Sequence, residues 1–347
     1  MTGLARRVGL SLFGPLLAVL VALVISALVI ALIGEDPIAA FRVMVDLGDS
    51  PSQQVQSIVV VLNRAVPLFL AGLAVAVAFR MGLFNIGVEG QYRLATVLAA
   101  AVGAAVVLPA PLHLLVIVVV AMVVGALWAG IIGVLKVTRG VSEVISSIML
   151  NFIALGTASW LLTGPLRGSP PGASIITTSE IPESGRVPSL NGLLTGLGLA
   201  EPRSGLYGFL LVAVVVGVVV AVLLQRTRFG FDLRATGLSA SAATASGVDA
   251  KGMVVKTMLI SGGIAVALLG RNNALGVALA ALLFAFLDRA ALPLQFADIP
   301  SSVVTIIQGT IVLAVVVANE IARQLTRRRA EGDAGQAGRR QQSFEHA

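Results

Sequence analysis

Nine long apolar runs constrain the fold of this chain more than any other feature. Crossing about 30 Å of bilayer hydrocarbon takes roughly 20 helical residues, and most of these runs approach that length. They cover residues 9–33, 57–79, 94–109, 112–135, 144–163, 206–224, 254–270, 274–291 and 301–319. Of the 347 residues, 57% are hydrophobic and only 12% are charged, and the mean hydropathy is +0.98. The sequence therefore predicts an all-α, polytopic bundle of transmembrane helices.

Charged residues at the ends of the runs predict how the chain crosses the membrane. Basic residues favour the cytoplasmic side, so Arg6 and Arg7 place the N-terminus inside and the loops then alternate. On this basis residues 164–205 form an external loop and residues 225–253 a cytoplasmic loop. Nine full crossings, however, would place the arginine-rich tail 321–347 outside. One of the nine runs is therefore not expected to cross fully.

The run 254–270 is the candidate for this incomplete crossing. Gly262 and Gly263 lie at its centre, and glycine weakens or breaks helices. The nine residues that end at Arg271 also match the nine that end at Arg80 at five positions, as in an internal repeat of one direction. We therefore predict eight full spans plus one re-entrant or half-length segment, with both termini cytoplasmic. The domains that follow are a transmembrane domain over residues 1–320 and a basic, disordered cytoplasmic tail over residues 321–347.

The chain lacks the residues that most catalytic and metal sites require. It contains no cysteine, which excludes disulfides, thiolate metal sites and cysteine nucleophiles. None of its lysines stands in the Gly-x-x-x-x-Gly-Lys-Ser/Thr loop that binds ATP phosphates. Its histidines are His113, interpreted as an interfacial residue, and His346 in the tail. We therefore expect a transport protein and not an enzyme, without a catalytic residue, a metal or a cofactor.

A polar, glycine-rich stretch from Met81 to Tyr92 separates the second and third runs. It contains Asn85, Glu89 and Gln91, whose side chains are costly to place in lipid. Irregular backbone near membrane depth is tolerated where it is buried in protein or lines a wet cavity, although this composition is also typical of a tight cytoplasmic turn. The three polar residues are therefore candidates for a pathway or its gate, and the turn is the alternative.

A row of polar residues opens the fifth run. Glu143, Ser147 and Asn151 are spaced four residues apart, so they share one face of a helix. Polar groups in a membrane span usually face the bundle interior or a pathway, which makes this row a second pathway candidate. Hydrogen bonding between helices is the alternative.

The cytoplasmic loop after the sixth run has the pattern of a short amphipathic helix. Phe231, Ala235, Leu238, Ala242 and Ala245 fall on one helical face. Small residues dominate this face, which suits a groove in a partner protein better than lipid. A helix lying on the membrane surface is the alternative.

Taken together and in this order, these stretches resemble the permease subunits of bacterial ABC importers of the simple-sugar and nucleoside type. The segment from Gly82 to Gln91 is similar to that family's Asn-Ile-Gly-x-Glu-Gly-Gln motif. Glu143 to Asn151 resembles its Glu-Val-Ile-x-x-Ile-Met-Leu-Asn segment, and residues 229–247 resemble its coupling loop. The resemblance covers nearly the whole chain. The exact residues of the first two motifs favour the nucleoside branch of the family.

The resemblance implies a subunit of a larger importer in the plasma membrane of a bacterium. Its expected partners, besides membrane lipid, are a cytoplasmic ATPase that docks at the 226–250 loop, a second similar permease and an external lipoprotein that delivers substrate. No nucleic acid is expected, because the arginines behind the net charge of +7 are scattered at span ends. Nucleoside import by alternating access is thus predicted. Simple sugars such as pentoses are the alternative substrates, and an ion-coupled secondary transporter is the alternative class.

Two sets of residues carry these predictions. The residues predicted to line or gate the pathway are Asn85, Glu89, Gln91, Ser147 and Asn151. The residues predicted to couple the chain to the ATPase are Phe231, Arg234, Ala235, Gly237 and Gly247.

The chain departs from the family pattern at one point. The family usually has several tens of residues between its Met-Leu-Ile-Ser-Gly and Gly-Ile-Ala-Val-Ala-Leu-Leu-Gly elements, whereas here Gly262 is followed directly by Gly263. Parts of two spans and their external connection are therefore missing relative to the family. This agrees with the topology conflict at the run 254–270.

Overall fold

The computed structural model describes residues 20–264, 274–297, 299–300, 302–314 and 317. Their regular structure is helical, apart from an isolated bridge between Ser189 and Tyr207. The helices are α1 (Leu20–Leu32), α2 (Pro37–Val45), α3 (Pro51–Phe79), α4 (Val88–Ala105), α5 (Ala110–Arg139), α6 (Glu143–Thr163), α7 (Asn191–Gly196), α8 (Phe209–Arg226), α9 (Arg228–Leu238), α10 (Ala240–Ala245), α11 (Ala250–Ile264), α12 (Ala274–Phe296) and α13 (Ser302–Ala314), with a 3-10 turn at Glu183–Gly185. The predicted all-α fold class is confirmed.

Five of the described helices are long and apolar enough to cross a bilayer. They are α3, α5, α6, α8 and the Gly276–Phe296 part of α12. Each overlaps a predicted span, which makes this a membrane-embedded protein. Helices α1 and α13 are apolar but shorter within the described residues. Parts of the runs 9–33, 254–270 and 301–319, and the whole tail 321–347, lie outside the described residues.

Local sequence signals explain where several helices begin and end. At the start of α3, the hydroxyl of Ser50 accepts from the backbone N–H of Gln53 at 3.3 Å. The side chain of Gln53 in turn accepts from the backbone N–H of Ser50 at 3.1 Å, forming a capping box in front of Pro51. This box begins the helix ahead of the predicted run 57–79. Gly140, with a φ of 67°, ends α5 in the left-handed conformation.

The chain divides into two compact units. The larger extends from Leu47 to Phe286, and the smaller contains the residues before Leu47 and those after Phe286. Within the larger unit, α5 packs against α4 and α11, while α3 packs against α8 and α11. One side of α9 also packs against the apolar core of this unit. The fully buried members of this core include Val77, Ile132, Leu233 and Met258.

Small residues form the interface between α5 and α11. Gly262 lies directly against the backbone of Gly125 and the side chain of Ala129, so a Cβ atom on Gly262 would overlap both. Such close approach is typical of small-residue contacts between membrane helices. Glycine at this point was expected to weaken or break the segment. Within the described residues, α11 continues through Gly262 and Gly263 to Ile264 and uses Gly262 for contact. The 15 described residues of α11 extend about 22 Å.

Candidate functional site

A cavity of about 410 Å³ lies inside the larger unit, between α3, α4, α5, α8 and α11. Its volume is in the range of small-molecule binding sites. Aliphatic residues, methionine and glycine form most of its wall. The aromatic and polar side chains of the wall are Asn63, Gln91, Tyr92, Thr96, Tyr207 and Phe209. This combination can hold a small ligand with flat or apolar faces.

The carboxamides in the cavity wall are engaged with neighbouring protein groups. Asn63 accepts from the backbone N–H of Tyr207 at 3.0 Å and donates to the carbonyl oxygen of Gly205 at 2.9 Å. Gln91 exchanges two hydrogen bonds with the carboxamide of Asn85, at 2.9 and 3.1 Å. Much of the hydrogen-bonding capacity of these amides is therefore used within the protein.

A buried hydrogen-bond network lies behind Gln91. Asn85 donates to the hydroxyl of Ser261 at 2.9 Å, and Ser261 donates to the carbonyl oxygen of Ala74 at 2.8 Å. Asn85, Gln91 and Ser261 are each at most 2% exposed. Paired polar groups in a buried site favour a single arrangement, since any other leaves them without partners. The network thus fixes α3, α4 and α11 relative to one another beside the cavity.

Asn151, in the polar row of α6, forms hydrogen bonds with the stretch that precedes α4. Asn151 donates to the carbonyl oxygen of Ile86 at 3.0 Å and accepts from the backbone N–H of Gly90 at 2.9 Å. These contacts satisfy backbone groups that no helix satisfies at this point of the chain.

The loop between α8 and α11 folds into two short helices and not into one. Thr227 caps α9 and Ser239 caps α10, each accepting from a backbone N–H three residues later, at 3.2 and 3.3 Å. One side of α9 faces the core: Leu233 is fully buried, and a Cβ atom on Gly237 would lie 2.6 Å from the carbonyl oxygen of Arg80. This close contact requires glycine at position 237.

The opposite side of the two-helix loop is exposed. Phe231 is 63% exposed and Leu238 is 89% exposed, while Ala235 is half-buried. Ala242 and Ala245 are exposed as well. The face that the sequence predicted for docking is therefore largely uncovered in this chain.

Arg80 and Arg234 lie near each other where α9 contacts the end of α3. Arg234 donates to the carbonyl oxygen of Leu224 at the end of α8. Burial of the Arg80 guanidinium, and then the positive charge of Arg234, lower the pKa of Arg80. Arg234 thus has a contact within the chain, whereas Phe231 presents its side chain outward. Gly247, with a φ of 85°, forms the turn that leads into α11.

A comparison with protein families decides what this chain is. The family described as branched-chain amino acid transport system, permease component, matches residues 57–265, more than half of the chain. The chain belongs to this family. It is a permease of the simple-sugar and nucleoside type, the translocation subunit of an ABC importer.

Three curated relatives resemble the permease over most of its length. It is 32% identical to the glucose ABC transporter permease of Haloferax volcanii, over 89% of this chain and 88% of the relative. It is 32% identical to the guanosine ABC transporter permease of Bacillus subtilis, over 87% of this chain and 92% of the relative. It is 27% identical to the nucleoside ABC transporter permease of Lactococcus lactis, over 87% and 90%. No solved structure matches the permease significantly.

The permease brings some of its predicted pathway residues to the cavity and not others. Gln91 lies in the wall and Asn85 directly behind it. The side chain of Glu89 is 57% exposed and pairs with an arginine one turn later. Ser147 and Asn151 are not in the wall. Ser147 is fully buried, and its hydroxyl oxygen has no hydrogen-bond partner among the described residues.

His113 differs from its interpretation as an interfacial residue. The side chain is fully buried, with Nδ1 at 2.8 Å from the hydroxyl of Ser184 and Nε2 at 2.9 Å from the carbonyl oxygen of Gly103. A carbonyl oxygen only accepts, so Nε2 carries a proton. His113 therefore ties the 3-10 turn of the predicted external loop to α4 and α5.

Of the polar and aromatic side chains in the cavity wall, the sequence singled out only Gln91 as a candidate. Asn63 and Tyr207 are among those that it did not single out. The signal available for Asn63 was a carboxamide inside an otherwise apolar run. Tyr207 offered none, because its position depends on a hydrogen bond to a residue 144 positions earlier.

Replacing Asn151 by leucine is expected to destabilise the permease. The variant leaves the carbonyl of Ile86 and the N–H of Gly90 without their partners, which costs about 2 kcal/mol. The measurement is the midpoint of thermal unfolding in detergent, which should fall by several degrees. Thr163→Val is the matched control, because Thr163 bonds only within its own helix, at the exposed end of α6. Equal shifts in the two variants would contradict the assigned role of Asn151.

Proposed function

We propose that this permease moves nucleosides through the cavity, powered by a separate ATPase subunit. The observation that carries the proposal is the chemistry of the wall, with Tyr92, Tyr207 and Phe209 beside carboxamides already bound to protein. A nucleobase presents flat faces that pack well on aromatic rings and polar groups only at its edge. A sugar presents a hydroxyl on almost every carbon, and each needs a partner once it leaves water.

The relatives support nucleosides and keep sugars as the second candidate. Guanosine and nucleosides stand in the names of the Bacillus subtilis and Lactococcus lactis proteins, and glucose in that of the Haloferax volcanii protein. Overall identity does not separate them, since the guanosine and glucose permeases are each 32% identical to this chain. Our preference for nucleosides therefore rests on the chemistry of the cavity wall.

The predicted pathway residues divide into three roles under this proposal. Gln91 contributes to the wall that the substrate passes, and Asn85 holds Gln91 in place. Asn151 fixes the polar stretch before α4 through its hydrogen bonds. Ser147 lies one turn earlier on the same face of α6. Glu89 is accessible enough to act at a gate.

The two-helix loop α9–α10 is proposed to dock the ATPase and to pass its movement toward the cavity. Gly237 on α9 contacts the backbone of Arg80 and Met81, and Thr257 on α11 donates to the sulfur of Met81 at 3.2 Å. One helical turn after Thr257, Ser261 bonds to Asn85 behind the cavity wall. A continuous chain of contacts thus connects the loop with the cavity, and such chains of packed groups can carry energetic coupling between two sites.

The remaining coupling residues have supporting roles in this proposal. Phe231 is the contact that enters the ATPase groove, while Ala235 and Arg234 set the orientation of α9. Gly247 permits the turn between the docking loop and α11. A second similar permease and an external substrate-binding lipoprotein complete the importer.

Contacts in the smaller unit support the proposed topology. Arg289 on α12 donates to the carbonyl oxygen of Met44 on α2 at 3.3 Å, so the end of α12 and α2 share one side of the membrane. If α2 is external, α13 returns toward the cytoplasm, where the tail 321–347 then lies. The nine segments then comprise eight full spans and a half-length α11, in a membrane domain over residues 1–320 of a bacterial plasma membrane protein.

Competition during uptake by intact cells tests the substrate. Cells of the source organism should take up radiolabelled guanosine, and cells without this permease should take up much less. Unlabelled adenosine should compete at concentrations at least about tenfold lower than glucose or ribose, a difference of about 1.4 kcal/mol in binding. Competition by a sugar as strong as by a nucleoside would contradict the proposal and favour the sugar alternative.

A further inference from the structure

A strap of chain, residues 183–208, is held by helices on two sides of the cavity. At its C-terminal end, Gln56 on α3 accepts from the backbone N–H of Ser204 at 2.8 Å and donates to the hydroxyl of the same residue. Two helical turns further along α3, Asn63 binds the N–H of Tyr207 and the carbonyl oxygen two residues before it. Gln56 and Asn63 thus form a latch of two carboxamides on one face of α3.

The other end of the strap is attached to α4 and α5. Ser184 bonds to His113, which also reaches the carbonyl oxygen of Gly103. Within the strap, the N–H of Leu190 donates to the carbonyl oxygen of Leu206 at 2.7 Å, and this bond connects its two halves. The strap therefore connects α3 with α4 and α5, and all three helices line the cavity.

The latch and the cavity share a residue. Asn63 lies in the cavity wall, and so does Tyr207, whose backbone N–H it binds. Phe209, at the start of α8, continues the wall from the end of the strap. A movement that breaks the bonds of Asn63 must therefore displace Tyr207 and open the wall on that side.

We propose that the carboxamides of Gln56 and Asn63 are positioning residues that latch the strap across the outer end of the cavity, so that their release opens the cavity to substrate from outside. This inference rests on the proposed function in taking the cavity as the transport pathway. The strap backbone is held by side chains and not by a regular sheet, so water can replace each of its bonds when the strap moves.

The absence of cysteine from the natural chain makes the latch directly testable. Ala121→Cys places a single thiol in the cavity wall. Its reaction with a membrane-impermeant maleimide is followed in intact cells that carry the full importer. The strap should keep this reaction slow in the Ala121→Cys chain, and it should become about tenfold faster when Asn63→Asp is added, as expected for a lost bond plus repulsion. The aspartate still accepts from Tyr207 but repels the carbonyl oxygen of Gly205.

Gln56→Glu is the matched control, because it adds the same charge to the same helix. Its carboxylate can accept from both the N–H and the hydroxyl of Ser204, so the latch stays closed and labelling should remain slow. Both variants must elute as single species in detergent, which separates opening from misfolding. Leucine at position 63 is the second test, since it removes both bonds without adding charge.

Three results would overturn the latch. They are rapid labelling of Ala121→Cys in the otherwise natural chain, unchanged labelling in both the Asn63→Asp and Asn63→Leu variants, and equal acceleration by Gln56→Glu. Labelling requires no knowledge of the substrate. If Asn63→Asp accelerates labelling while nucleosides fail to compete for uptake, the latch stands and the nucleoside proposal fails.

Discussion

Phe231→Asp is expected to abolish retention of the ATPase by the permease. The side chain is 63% exposed on α9, so its loss leaves the fold of the chain intact. In the assembled importer, a buried phenylalanine contributes about 1.5–3 kcal/mol, and a buried aspartate without a partner adds a further cost. The affinity for the ATPase should therefore fall by more than about tenfold. The measurement is the amount of ATPase subunit that co-purifies with the tagged permease from native membranes.

Leu193→Asp is the matched control for this variant. Leu193 is also an exposed apolar residue, at 60%, but it lies in the predicted external loop. The control should retain the ATPase at the natural level. If Phe231→Asp retained as much ATPase as Leu193→Asp, the two-helix loop α9–α10 would not be the docking surface.

Gly262→Val is expected to eliminate most of the folded permease. The new side chain would overlap the backbone of Gly125 and the side chain of Ala129, and neither can move without separating α5 from α11. Overpacking in a tight contact commonly costs about 1–3 kcal/mol and more where backbone is involved. The yield of monodisperse protein after extraction in detergent measures the effect. Gly156→Val is the control, since a Cβ atom at Gly156 meets nothing within 4 Å. Equal yields would show that the α5–α11 contact is not essential.

Apolar length predicted most of the long helices. The run 144–163 differs from α6 by one residue at its start, and Glu143 there is the first residue of the polar row. The run 57–79 missed the start of α3, although Ser50, Pro51 and Gln53 form a recognisable capping box. The run 94–109 missed the start of α4 at Val88, because hydropathy does not identify a helix whose first turns are polar.

The candidate site could be predicted only in part. The motif from Asn85 to Gln91 brings Gln91 to the cavity wall, while the role of its residues in a pathway or gate stays a prediction. Asn85 donates a hydrogen bond to Ser261, which lies 176 positions later in the chain. No pattern in the sequence predicts a contact over that distance. From the sequence alone, the glycines of α11 indicated only a weakened or broken helix. The contact of Gly262 with Gly125 could not be predicted, because Gly125 belongs to another helix.

The most direct test of the account is transport by the reconstituted importer. The permease is purified with its co-purifying subunits, placed in proteoliposomes and given radiolabelled guanosine with its binding protein on the substrate side. Uptake should require ATP on the opposite side, persist without any ion gradient and be lost in the Phe231→Asp variant. Uptake driven by a proton or sodium gradient in the absence of ATP would contradict it and assign the chain to the secondary transporters.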